Sequence, residues 1–171
     1  KHNYLVKDPN KLSPVFHEAF AIAQNGRPGP VLIDIPKDVQ FANGNYTKKE
    51  NIIIPSHRLF EPKIFNNNEK INGVVDLISK AKKPIFYIGG GCINSGSKAS
   101  ELVTQFVEMT GAPATMTLMG LGVLGSSHQN SLGMLGMHGM YEANMAMHDC
   151  DIMINIGARF DDRVTGRLDA F

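Results

Sequence analysis

Apolar residues recur at helical spacing near the start of the chain, at Leu12, Val15, Phe16, Ala19, Phe20 and Ala23. They predict one helix with a single apolar stripe. Asp8 before Pro9 is a cap followed by a first-turn residue, and Asn25-Gly26 is a stop. The run Val31-Leu32-Ile33-Asp34-Ile35, fenced by Pro30 and Pro36, predicts a buried strand. One helix and one strand do not make a domain. Residues 1–40 are therefore expected to be the tail of a domain that lies before Lys1.

The pattern changes between residues 41 and 68. Asn43, Asn45, Asn51, Asn66, Asn67 and Asn68 dominate, Pro55 and Pro62 interrupt, and only Ile52-Ile53-Ile54 is strongly apolar. This stretch predicts a connection between domains, lying against a surface. From residue 69 to 171 helix and strand alternate. Ile71, Val74, Val75 and Ile78 mark a helix, and Pro84 to Ile88 a strand that ends in Gly89-Gly90-Gly91. Leu102, Val103, Phe106 and Val107 mark a second helix closed by Gly111, followed by a strand from Ala114 to Leu118. Glycines 120, 122 and 125 punctuate a loop, Glu142 to about His148 is a short helix, and Asp151 to Ile156 is a third strand. The order predicts an α/β domain with a doubly wound, mostly parallel sheet and helices on both faces. That sheet is expected to be unfinished at Phe171, since such domains hold about five or six strands.

Composition narrows the classes. The chain has 171 residues, 43% of them hydrophobic and 19% charged, enough to bury a core. Lys and Arg total 17 against 16 Asp and Glu, with no basic excess to offset phosphates, so no nucleic-acid partner is expected. No apolar run reaches ~18 residues, so no membrane span is expected. The chain starts at Lys1 without Met or an apolar leader, which points to a cut or processed end. Cys92 and Cys150 stand in no Cys-x-x-Cys or Cys/His spacing. They are expected to be small buried side chains in a reducing, cytoplasmic setting, and no metal site is expected.

Ligands of open parallel sheets bind outside the carboxyl ends of the strands. All three predicted ends are rich in glycine or unusual polar residues. Gly89-Gly90-Gly91-Cys92-Ile93-Asn94 would let backbone approach a phosphate, or would form a tight turn with no ligand. It lacks the third glycine of a dinucleotide fingerprint, at Asn94, and the next strand ends without a carboxylate, so a standard NAD site is disfavoured. Thr117-Leu118-Met119-Gly120 suits either a wall for a flat ring or a buried loop. Gly133-Met134-Leu135-Gly136-Met137-His138-Gly139-Met140 offers methionines for an adaptable apolar pocket, and His138, flanked by glycines, is either a ligand contact or an ordinary surface histidine. Gly157-Ala158-Arg159-Phe160-Asp161-Asp162-Arg163 puts two arginines and two carboxylates just past a strand. It reads either as a solvated turn with surface ion pairs or, as Arg159 so close to a strand end favours, as an arginine aimed at phosphate or a ring carbonyl with its geometry held by carboxylates. No G-x-S-x-G, H-E-x-x-H or P-loop occurs, and Asp161-Asp162, readable as an acid/base pair, is disfavoured because adjacent side chains usually point apart.

These residues resemble a known family. Gly133 to Gly166, GMLGMHGMYEANMAMHDCDIMINIGARFDDRVTG, is similar to the large, catalytic subunit of acetolactate synthase (acetohydroxyacid synthase). So are Lys1 to Tyr4, Gly26 to Asp38 (GRPGPVLIDIPKD) and Thr117 to Gly122 (TLMGLG). The resemblance implies an enzyme that condenses two 2-oxo acids, pyruvate with pyruvate or 2-oxobutyrate, with release of CO₂, in branched-chain amino-acid biosynthesis. It implies three domains, binding the pyrimidine of thiamine diphosphate, FAD, and the diphosphate with Mg²⁺. Residues 1–40 would then end the pyrimidine domain, 41–68 would be the linker, and 69–171 a truncated FAD-binding middle domain. The activating glutamate would lie before Lys1 and the Mg²⁺–diphosphate motif after Phe171, so the piece alone is expected to be inactive. Carried over by position, FAD contacts would be Arg27, Gly89, Gly90, Gly91, Thr117, Leu118, Leu135, Gly136, Met137, His138, Gly157, Ala158, Arg159, Phe160, Asp161 and Arg163. Lys37 and Asp162 would lie near the substrate channel. A homodimer or higher oligomer with a small regulatory subunit is implied. Gly125 departs from the proline common in the family. The Arg-Phe-Asp-Asp-Arg wording argues against another thiamine-diphosphate lyase, and the opening half-domain against a free-standing nucleotide-binding module.

Overall fold

A computed structural model describes residues 1–48, 50, 52–55, 59, 67–169 and 171. The chain divides into two compact units, Lys1–Phe65 and Asn66–Phe171.

In the first unit, Asp8 accepts the Asn10 backbone N–H and caps a single 3-10 turn, Pro9–Lys11, that runs into α1 (Leu12–Gln24). The helix ends at Asn25, whose N–H returns to the Ala21 carbonyl, and Gly26 follows at φ 58°. The expected strand is present as β2 (Val31–Asp34), but it is not the buried strand expected: its residues alternate between half-buried and exposed, because the sheet of this unit has only one other described strand. Two elements were not expected. His2–Leu5 forms β1, parallel to β2 in the register His2↔Val31 to Leu5↔Asp34, so this unit is a strand–helix–strand arrangement rather than one helix and one strand. β1 shows no clean alternation because three of its four residues are exposed, which removes the periodic signal. Lys37–Phe41 forms the short α2 directly after Pro36, too brief to show a period. The stripe on α1 is also narrower than its spacing implies. Ala19 and Ile22 are buried, while Phe20 stays 63% exposed. Residues 45 and 47 lie against the start of α1, through Asn45 N–H to Asn10 Oδ1 (2.8 Å) and Ser13 hydroxyl to the Thr47 carbonyl (2.7 Å). Ile52–Ile54 carry no regular structure, and Asn51, Pro62 and Asn66 lie outside the described residues.

The second unit opens with α3 (Asn68–Lys80), capped by Asn67. The periodicity locates this helix correctly, yet Ile71, Val74 and Val75 are all more than half exposed, and α3 has no buried residue. After it come β3 (Pro84–Ile88), α4 (Gly90–Asn94), α5 (Ser97–Thr110), β4 (Ala114–Met116), β5 (Ser131–Met134), α6 (Tyr141–Asp149), β6 (Ile152–Ile156) and α7 (Asp162–Thr165). The four strands form one parallel sheet in the order β5-β4-β3-β6. β3 is covered on both faces. Phe86 and Ile88 pack with Val103 and Val107 of α5, and Ile85 and Tyr87 pack with Ala143 and Met147 of α6. Two-sided burial is why β3 reads as an unbroken apolar run. The fold is therefore α/β and doubly wound.

Three details of this unit differ from expectation. β4 stops at Met116, because Leu118–Gly120 turns as a 3-10 helix. β5 lies where a loop is expected: its Gly133 sits at φ 74° beside a register shift against β4, and a glycine at a bulge hides a strand from pattern reading. α7 is a single turn and carries no period. At the amino edge the Asp151 carboxylate accepts the N–H groups of Lys82 (2.6 Å) and Lys83 (2.9 Å), tying the entries of β3 and β6 together. Those N–H groups hold the carboxyl below its usual range.

Candidate functional site

Because every strand runs the same way, all four carboxyl ends lie on one edge of the sheet. The chain steps from β3 to β4 on one side and places β6 on the other, so strand order reverses at β3. Parallel α/β sheets bind ligands at such a switch point.

The glycines at this point are packing residues. The Gly89 N–H donates to the Ile156 carbonyl and the Gly91 N–H to the Gly157 carbonyl, both at 2.9 Å. A Cβ on Gly89 would overlap the backbone of Gly157 and Ala158. One on Gly91 would lie 2.7 Å from Gly157 Cα, and one on Gly90 2.9 Å from Met119 Cβ. A Cβ on Gly120 would stand 2.6 Å from the Ile88 carbonyl. Glycine here lets the loops after β3, β4 and β6 approach within backbone contact. Two N–H groups of the glycine run already serve the end of β6 and the loop after it, through the carbonyls of Ile156 and Gly157.

The loop after β6 is shaped from beneath and from within. The hydroxyl of buried Tyr87 donates to the Arg159 carbonyl (2.9 Å), and the Tyr87 and Phe160 rings lie 5.8 Å apart. Burial raises the Tyr87 phenol, Asp161 adds to the rise, and Arg159 opposes it. Asn155 holds Ala158 with both ends of its amide: Oδ1 accepts the Ala158 N–H (3.2 Å) and Nδ2 donates to the Ala158 carbonyl (3.1 Å). Arg159 Nη2 meets Asp161 Oδ2 at 2.9 Å, so a carboxylate does hold the arginine head. Asp161 also caps α7 through the Arg163 N–H. Its carboxyl lies below its usual range, first through a hydrogen bond with the Asp162 side chain, then through the Arg163 N–H and the charges of Arg159 and Arg163.

The loop after β5 is built the same way. Leu135 is buried in the α6-side core with Ala158 and Val164. Asn144 of α6 holds Gly136, accepting its N–H (2.8 Å) and donating to its carbonyl (3.0 Å). Met137 N–H donates to the Arg163 carbonyl (2.8 Å), joining this loop to the one after β6. Met137 and His138 are exposed beyond that joint. On the other side, Thr117 N–H donates to the Ile88 carbonyl, and Leu118 and Met119 stand 68% and 71% exposed.

The structure thus brings Gly89 to Gly91, Thr117, Leu118, Leu135 to His138, Gly157 to Asp161, Asp162 and Arg163 to one edge. Arg27 and Lys37 belong to the first unit: Arg27 is exposed in the turn between α1 and β2, and Lys37 opens α2 with its ammonium 6.0 Å from the Phe41 ring centroid. Gly125 is exposed, with open space around its Cα. Tyr87, Asn144 and Asn155 are absent from the sequence reading. Tyr87 and Asn155 are the polar-tipped residues of otherwise apolar strands, and that was their available signal. Among the described residues no group of His, Cys, Asp and Glu is placed to hold a metal ion, and no helix is long and apolar enough to cross a membrane. Both cysteines are free thiols, raised by burial.

A doubly wound parallel sheet with its polar and glycine loops gathered at one carboxyl edge defines an α/β domain of the open-sheet class. The chain belongs to the thiamine pyrophosphate enzyme family, whose central domain matches residues 71–171. Across its whole length it is 47% identical to acetolactate synthase 2, chloroplastic, of Nicotiana tabacum and 45% identical to the chloroplastic acetolactate synthase of Arabidopsis thaliana, covering 25% of each. It is 46% identical to the acetolactate synthase large subunit of Corynebacterium glutamicum, covering 26% of it. The chain thus spans about a quarter of the length of these relatives.

Proposed function

We propose that this chain is a section of an acetolactate synthase large subunit. The whole protein condenses pyruvate with pyruvate or 2-oxobutyrate and releases CO₂, for branched-chain amino-acid synthesis. The observation that carries this reading is the 46–47% identity to acetolactate synthases along the full 171 residues. Residues 1–40 close the pyrimidine-binding domain, 41–68 connect, and 69–171 form most of the FAD-binding domain. Thiamine diphosphate, held with Mg²⁺ by parts of the protein outside this chain, supplies the electron sink for decarboxylation.

Two features of the carboxyl edge support FAD as its ligand. Arg159 offers an exposed guanidinium whose angle is set by Asp161, suited to a phosphate oxygen or a ring carbonyl. Leu118, Met119 and Met137 offer exposed apolar surface for a flat ring. The residues proposed to hold FAD are Arg27, Gly89 to Gly91, Thr117, Leu118, Leu135 to His138, Gly157 to Asp161 and Arg163. The Gly89–Gly91 run does so by closing the loop junction. Lys37 and Asp162 are proposed to border the substrate channel. The flavin is proposed to shape the protein and to take no part in the condensation. The oligomer of large subunits, a small regulatory subunit, and a reducing compartment such as the cytoplasm, or a plastid in a plant, complete the proposal.

The test is an assay with pyruvate, thiamine diphosphate and Mg²⁺. The full-length protein is expected to form acetolactate and residues 1–171 alone to form none. Turnover by the 171-residue chain, or a full-length protein with no acetolactate product, contradicts the proposal.

A further inference from the structure

Two asparagines do the same unusual thing at this edge. Asn144 accepts the N–H and donates to the carbonyl of Gly136, two residues past β5, and Asn155 does so to Ala158, two residues past β6. A carboxamide is the one side chain that copies a peptide group, giving one donor and one acceptor side by side. Each asparagine therefore extends backbone pairing past the point where the strand ladder stops. Gly136 needs this hold, because it sits at φ 96° with the Arg163 carbonyl where a Cβ would go. The two held loops are joined by the Met137 N–H to the Arg163 carbonyl. Immediately beyond the held residues come Met137 and His138 in one loop and Arg159 and Phe160 in the other.

We infer that Asn144 and Asn155 are positioning residues that lock the two loops into one preorganised unit and so set the affinity of the edge for FAD. The inference rests on the FAD reading proposed above. A preorganised loop binds without the entropy cost of ordering itself. The shared joint means that releasing either clasp loosens both loops.

The test uses the full-length protein stripped of flavin and titrated with FAD, read by flavin fluorescence and visible absorption, with amide hydrogen exchange on the flavin-free protein. Asn144→Ala and Asn155→Ala are each expected to weaken FAD binding roughly three- to tenfold. Each is expected to speed exchange in both loops, 136–138 and 158–163, and the double variant to lose less than the product of the two single effects. Asn144→Asp keeps shape and acceptor but loses the donor at neutral pH. Its FAD affinity is expected to recover relative to wild type as pH falls through the carboxyl range and the donor returns. This variant keeps the test decisive if an alanine variant misfolds. Unchanged FAD affinity in Asn144→Ala and Asn155→Ala, where Arg159→Ala weakens it, overturns the inference and leaves the FAD reading standing. Faster exchange confined to the loop of the substituted asparagine also overturns it. A wild-type protein with no affinity for FAD overturns both.

Discussion

A methyl group added at Gly89 has nowhere to go. Its backbone angle is ordinary (φ −119°), so the obstacle is the backbone of Gly157 and Ala158 and not strain. Gly89→Ala is expected to destabilise the unit by about 1–3 kcal/mol, the usual cost of overpacking. Gly73, inside α3, has nothing within 4 Å of its would-be Cβ, so Gly73→Ala is expected to stabilise by about 0.5–1 kcal/mol. Urea midpoints of the two variants check both signs. Acid tests the carboxylates. Asp151 and Asp161 have pKa values lowered by folding, so their contribution is fully present above the unfolded value of about 4 and is lost as pH falls through the lower folded values. Replacing Asp151 with Asn is expected to flatten the acid limb of a pH–stability curve. An unchanged limb removes Asp151 as a contributor. At this scale the sequence tells which residues are unusual but not what they touch. The glycine run is visible, whereas its partner at Gly157 lies 66 to 68 positions away and is set by sheet order. Arg159 and Asp161 are legible because their pairing is local. Asn144 is not, since an asparagine in a helix carries no pattern, and Asn155 shows only as the one polar residue of an apolar strand.

Among elements, the legible ones are those whose apolar pattern matches their burial. α5 and α6 each bury one stripe, and β3 buries both faces, so period and burial agree. α3 shows the limit: its period is right and its apolar face is exposed among the described residues. Val107→Ala on α5, where Val107 is fully buried, is expected to cost roughly 1.5–3 kcal/mol. The same change at Val75 on α3 is expected to stay within about 0.5 kcal/mol. Equal costs, measured by denaturation of the 171-residue chain, contradict the packing described for α3. β1 and β5 escape the pattern for opposite reasons. β1 is too exposed to alternate, and β5 carries a glycine bulge.

For the whole molecule, the sheet order does more than any one motif to define the site. Placing β6 beside β3 brings the Gly157–Arg163 loop against the Gly89–Gly91 turn, and the Met137–Arg163 hydrogen bond then draws in the loop after β5. Residues far apart in sequence become one edge, which is why the ligand class is legible only where wording resembles a family and not from spacing. Under the proposed function this edge holds FAD in a thiamine-diphosphate enzyme. The most direct measurement of this is a titration of the flavin-free full-length protein, and of its Arg159→Ala variant, with FAD. Saturable binding of one flavin per chain, weakened by Arg159→Ala, is the predicted result. A wild-type protein that takes up no FAD, or an Arg159→Ala variant that binds it as tightly as wild type, would contradict the account.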